Sequence, residues 1–193
     1  MSKKDELRLH GRNRKLPSAI KLGSLTPELI THNLFIYHSL ADDPMNLSGE
    51  KTAEHRHEHA VAGVSTGEQV YELGEFYNQI HTEEISIHSG FESSNHRFAM
   101  MDPGHHLEYH MDPPNTYNLL CPISDPITLK VAKSWNDVQK GKVETIDIDV
   151  GEVYFVNPSY PHASYHKSDM VRIAILANFE YTEEAYDKLT RIL

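Results

Sequence analysis

From Ile85 onward the chain falls into short apolar or alternating segments, each closed by Gly, Pro, Asn, Asp or Ser, a spacing that leaves room for little except an all-β sandwich or barrel. The segments are 85–88, 97–101, 106–111, 117–123, 127–132, 143–148, 153–156, 163–166 and 171–179. With no internal repeat and no linker, the 193 residues read as a single domain, 1–193, large enough to bury a core without covalent staples. The one cysteine, Cys121, excludes an intrachain disulfide and fits a reducing compartment. No apolar run reaches membrane-spanning length and no secretory h-region opens the chain, so the expected location is the cytoplasm, away from membranes.

The N-terminal third has another character. Residues 1–22 hold Lys3, Lys4, Arg8, Arg12, Arg14, Lys15 and Lys21 against Asp5 and Glu6, while the whole chain carries −10. This region is expected to be a solvated, flexible arm. It lacks interleaved aromatic residues for base stacking, and the acidic remainder would repel phosphate, so nucleic acid is not the expected partner. Residues 23–84 read as largely helical support, with Thr26 as N-cap and Pro27 in the first helical position. His55 and His59 would share a helix face there, but without a third ligand they read as a polar surface. Residues 85–181 form the β core. Residues 182–193 form a closing helix capped by Thr182, with Ala185, Tyr186, Leu189 and Ile192 on one stripe.

Metal-type side chains concentrate in Pro103-Gly104-His105-His106-Leu107-Glu108-Tyr109-His110-Met111-Asp112. At period 2, His106, Glu108 and His110 fall on one face and continue to Asp112, with Leu107, Tyr109 and Met111 on the other. His-x-Asp by itself says little: 14 His and 11 Asp in 193 positions give about 0.8 matches by chance. Context raises its weight. A facial-triad iron site needs two imidazoles and one carboxylate on one side of the ion. His110 and Asp112 supply two ligands where the strand meets the Pro113-Pro114 turn, and His162, after the loop 157–161, supplies the third. Ten residues beyond His162, Arg172 lies in an apolar strand where an unpaired cation would be costly, which implies a buried anion. His106 with Glu108, and His81 with Glu83, are competing ligand pairs. His88, His96, His105 and His166 read as surface or supporting residues.

The stretch 100–185 resembles the 2-oxoglutarate- and Fe(II)-dependent oxygenases, and within them the aspartyl/asparaginyl β-hydroxylase family. The resemblance is carried by Met101-Asp102-Pro103-Gly104-His105-His106, His110 with Pro113, Trp135 with Gly141, Gly151-Glu152-Val153-Tyr154-Phe155, His162 and Arg172. It implies a mainly β fold, with a double-stranded β-helix (jelly-roll, cupin-like) core, N-terminal helices packed on it and a short C-terminal helix. It also implies that His110, Asp112 and His162 bind Fe(II) and that Arg172 holds the C5 carboxylate of 2-oxoglutarate. The expected reaction is an O2-dependent hydroxylation of an unactivated C–H bond, releasing succinate and CO2. The expected substrate is an amino-acid side chain, free or within a peptide or protein. One departure stands out: 113–123 contains no Arg, Lys or His where the family places a basic residue and a histidine. Tyr117 or Asn118 would contact the cosubstrate instead, depending on register. Two other readings remain at this stage, a metal-dependent cupin enzyme that does not use 2-oxoglutarate and a non-catalytic β-sandwich binding protein.

Overall fold

Along β5 (Thr116–Pro122) and β10 (Arg172–Glu180), consecutive side chains enter different cores, and this alternation sets the layers. The computed structural model describes residues 1–41, 68–72, 93–101, 103, 104 and 106–193. The remaining strands are β1 (Ala19–Ser24), β2 (Glu68–Glu72), β3 (Ser93–Met101), β4 (His106–His110), β6 (Ile127–Val131), β7 (Glu144–Ile148), β8 (Glu152–Val156) and β9 (His162–Tyr165). The helices are α1 (Lys3–Asn13), α2 (Pro27–Ala41), α3 (Trp135–Gln139) and α4 (Glu183–Ile192). A six-stranded sheet, β1-β8-β5-β10-β3-β2, faces a four-stranded sheet, β4-β9-β6-β7, and every pairing is antiparallel. This is the expected mainly β jelly-roll core carrying N- and C-terminal helices.

Leu120, Val156 and Ala174 of the large sheet meet Ile127, Leu129, Val131 and Ile148 of the small one, filling the space between the sheets. On the far face of the large sheet, Leu119, Cys121, Phe155, Ile175 and Phe179 pack under Leu29, Ile30 and Leu34 of α2 and Ala185, Tyr186 and Leu189 of α4. Cys121 is a core side chain there, its thiol pushed up to about 12 by burial. Gly151, at φ +85°, turns the chain into β8 in the left-handed conformation that favours glycine, and the end of the Ile30 side chain packs against its open face, 2.6 Å from where a Cβ would stand.

Three expectations change at the N-terminal end. Residues 1–22 do not behave as a loose arm: α1 is docked, and 19–24 become β1, the edge of the large sheet paired with β8. Burial of Asn13, Leu16 and Ile20 drives this. Within the region expected to be helical, 68–72 forms β2 because β3 offers it a complete ladder, with Val70 opposite Ala99. Expected segment 85–88, the His55/His59 pair, the His81/Glu83 pair, His88 and His105 lie outside the described residues. Thr26 and Thr182 accept from Leu29 N and Ala185 N, as caps of α2 and α4.

The α1 anchor is polar and buried. The Asn157 side-chain amide donates to the carbonyls of Asn13 (2.8 Å) and Pro17 (3.0 Å), and its Oδ1 accepts from Ser159 N. Asn13 in turn donates to Pro114 O at 2.8 Å and accepts from the Tyr117 hydroxyl at 3.0 Å. Arg12 forks onto Glu183 and lies over the Tyr186 ring, and His10 Nδ1 meets Ser159 Oγ at 2.9 Å. Asn157→Ala strands several buried carbonyls, and a loss of about 2–3 kcal/mol is expected in denaturant unfolding, with early exchange of α1 amides. Burial also holds the His10 imidazole below its ordinary pKa of 6.5. The folded chain then binds fewer protons than the unfolded one below that pH, so stability falls as pH drops through this window. Protection factors of α1 amides are expected to fall between about pH 7 and 5.5 in the wild type and to stay flat in His10→Gln.

Candidate metal centre

Two imidazoles and one carboxylate converge where β4 ends and β9 begins. Each of His110, Asp112 and His162 offers a ligand atom within 4.8 Å of the others. His162 Nε2 lies 3.3 Å from Asp112 Oδ2, and His110 Nε2 lies 3.9 Å from Asp112 Oδ1. Ligands bound at about 2 Å to one ion sit roughly 3–4 Å apart, the range of both pairs. The His162 side chain is buried, while those of His110 and Asp112 are 34% and 23% exposed, so the group is walled on one side and open on the other.

The rings are oriented by backbone. His162 Nδ1 donates to Tyr160 O and His110 Nδ1 to Glu108 O, both at 2.9 Å and both to the residue two positions upstream. That selects the tautomer whose Nε2 carries a lone pair, and both Nε2 atoms point toward the carboxylate. Asn118 Nδ2 donates to Asp112 Oδ2. This contact sets the amide orientation, since a flipped Asn118 would put oxygen against oxygen. Its Oδ1 is buried without a hydrogen-bond partner among the described residues.

How His110 comes to face His162 depends on a β-bulge. His106 pairs with Tyr165 and Leu107 with Ser164, but His110 pairs with His162, so β4 holds one extra residue between Leu107 and His110. Simple alternation, which put His106, Glu108 and His110 on one face, is therefore corrected. His106 stacks on Tyr165 with ring centroids 5.4 Å apart and bonds Glu108 at 2.7 Å, and Lys130 lies over the same tyrosine ring. This is the face turned away from the Ile127, Leu129 and Val131 core. His106 and Glu108 are thus removed as competing ligands.

Register also separates Tyr117 from Asn118. Asn118 faces the interior beside Asp112. Tyr117 points to the helices, its hydroxyl on Asn13 and its ring edge-on to Phe155 and Tyr181, so it does not reach the triad. Burial raises its hydroxyl pKa strongly. Arg172 is 2% exposed and opens β10 on the interior parity of Ala174 and Leu176. It lies six residues along β10 from Asn178, the partner of Asn118, or about 20 Å at the usual strand rise. His166 is buried, with Nδ1 at 3.5 Å from Asp125 and Nε2 on Met170 O, closing the 166–171 turn rather than joining the triad. Sequence reasoning had no access to the Glu108 and Tyr160 carbonyls, because every residue carries one. Asn118 as the Asp112 holder carried a weak signal, an amide on the interior parity of an apolar strand.

No family model matches the chain, and no curated protein matches it. Among solved structures, TT1209 from Thermus thermophilus aligns with 46% of this chain and 74% of its own at TM-score 0.37 and 12% identity. Oxalate oxidase in complex with the substrate analogue glycolate aligns with 59% of this chain and 51% of its own, at TM-score 0.41 and 12% identity. Oxalate decarboxylase from Bacillus subtilis aligns with 60% and 26%, at 0.42 and 21%. The chain thus spans about half the length of the oxidase and about a quarter of the decarboxylase. At these TM-scores the overlaps are partial, and fold and site rest on the sheet topology and side chains above. Asn118→Ala is expected to weaken divalent-metal binding by about 10–100-fold in titrations, with the unfolding midpoint changed little, because the residue orients a ligand candidate.

Proposed function

We propose that this chain is a ferrous-iron-dependent jelly-roll oxygenase, with His110, Asp112 and His162 as the iron ligands. The observation that carries the reading is the pair of Nδ1–carbonyl contacts, which leave two Nε2 atoms and one carboxylate as a three-ligand set with an open side. Two imidazoles and one carboxylate with open positions suit non-haem Fe(II). When bound, the iron supplies oxygen activation for insertion into a C–H bond. The protein's own part is to keep the rings in one tautomer, hold Asp112 through Asn118, and wall the interior side with apolar side chains so that the ligand enters from solvent.

The resemblance read in the sequence adds 2-oxoglutarate, anchored by Arg172, and an amino-acid side chain as the group hydroxylated. Arg172 is buried on the interior parity of β10, and the resemblance assigns this residue to the C5 carboxylate. A metal-dependent reaction without 2-oxoglutarate has a separate observation in its favour. The stretch of β10 between Asn178 and Arg172 carries Ala174 and Leu176, which pack with Leu120 in the space a bridging ligand would cross.

One experiment separates these versions. With Fe(II) added under anaerobic conditions, 2-oxoglutarate is expected to give the weak visible charge-transfer band of its chelate, absent in His110→Ala and Asp112→Ala. Arg172→Ala is expected to weaken 2-oxoglutarate by about 2–4 kcal/mol, the cost of removing one partner of a desolvated pair. Tight Fe(II) binding with no band at any 2-oxoglutarate concentration transfers the assignment to the independent reaction. Failure to bind Fe(II) sinks the oxygenase altogether.

A further inference from the structure

Beside the candidate metal centre lies a cleft of about 520 Å³ whose lining includes none of the three ligand candidates. Its floor includes Ala19, Val131 and Ala132, and its rim carries Lys133, Lys142, Asp137 and Glu144. Two links tie it to the triad. Val131 stands opposite His162 in the β6–β9 ladder, and Tyr160, which lines the cleft, accepts the His162 Nδ1 proton at its carbonyl.

The rim charges are arranged unusually for neighbours of opposite sign. None of the four is in an ion pair among the described residues, although all face one cavity. The two carboxylates take neutral hydroxyls instead: Asp137 accepts from Ser134 at 2.7 Å, and Glu144 from Ser18 at 3.1 Å. The lysines keep their whole donor capacity. Cations and anions held apart across an apolar floor are complementary to a molecule with both charges and an apolar body.

We infer that this cleft binds a free α-amino acid with an aliphatic side chain, its carboxylate at Lys133 and Lys142 and its ammonium at Glu144. The volume suits a small ligand, and the small lining residues suit an aliphatic rather than an aromatic side chain. As the substrate site of the iron oxygenase, the cleft rests on the function proposed above. As a binding site, it stands on its own geometry.

Isothermal titration calorimetry reads binding directly, with the fluorescence of Trp135, the chain's single tryptophan at the start of α3, as a second signal. Titration of the full chain with L-leucine, L-leucinamide and N-acetyl-L-leucine is expected to show saturable change with leucine and roughly tenfold or more weaker binding of either capped compound. The double variant Lys133→Met, Lys142→Met is expected to lose discrimination between leucine and leucinamide only. Glu144→Gln is expected to lose discrimination between leucine and N-acetyl-leucine only. Because no metal-ligand candidate lines the cleft and His110 bonds the Glu108 carbonyl in its own strand, leucine binding is expected to persist in His110→Ala, which abolishes Fe(II) binding. Leucine binding with no Fe(II) site would uphold the cleft and overturn the oxygenase. No saturable response to leucine, or equal affinity for the capped compounds, would overturn the cleft whatever the iron result.

Discussion

Between Leu107 and His110, β4 carries one residue more than the strand it pairs with, and the candidate metal centre depends on that extra residue. Side chains in a strand alternate strictly, so a one-residue slip changes face for all that follows. Here it leaves His106 and Glu108 outside against Tyr165 and turns His110 inward beside His162, with ring centroids 4.4 Å apart. Asp112, just past the strand end, is then close enough for Asn118 to hold it. Without the bulge, Tyr109 would stand opposite His162.

The same end of the barrel is braced by polar contacts rather than by core packing. Asn13 bonds the segment that follows Asp112, and Asn157 lies in the loop that precedes His162, so α1 is tied to both ligand-bearing segments. Loops carry backbone groups that no ladder satisfies, and buried asparagines can satisfy several at once. The N-terminal helix is thus part of the site's frame. Its cationic side chains remain largely in solvent while Asn13 at its end is buried.

Two ion pairs tie the N-terminal segment to the rest of the chain, and the four charged side chains that line the cleft stand outside such pairs. Arg12 meets Glu183 and Lys21 meets Glu152, whereas Lys133, Lys142, Asp137 and Glu144 face a shared cleft without ion pairs among the described residues. Pairing at the rim would have been easy for long lysine side chains. Its absence among these four residues is what gives the cleft a chemical character.

Much of the fold was legible from local pattern. Turn residues at short intervals marked the strands from 97 to 179, and Thr26-Pro27 and Thr182 marked helix starts, because caps and turns are satisfied by near neighbours. The ligand candidates were legible as residue types, with Arg172 marked by its apolar surroundings. Edge strands β1 and β2 were not legible, since a short segment becomes a strand only when a partner presents a free ladder. Nor was the side of each candidate: Tyr117 and Asn118 are neighbours in sequence and belong to different cores. The amino-acid sequence by itself determined a β-rich chain with histidine, carboxylate and a buried arginine at defined spacings. Tertiary structure alone decided which of them meet, because the bulge in β4 and the β5–β10 register are relations between strands and leave no trace in either strand's own pattern.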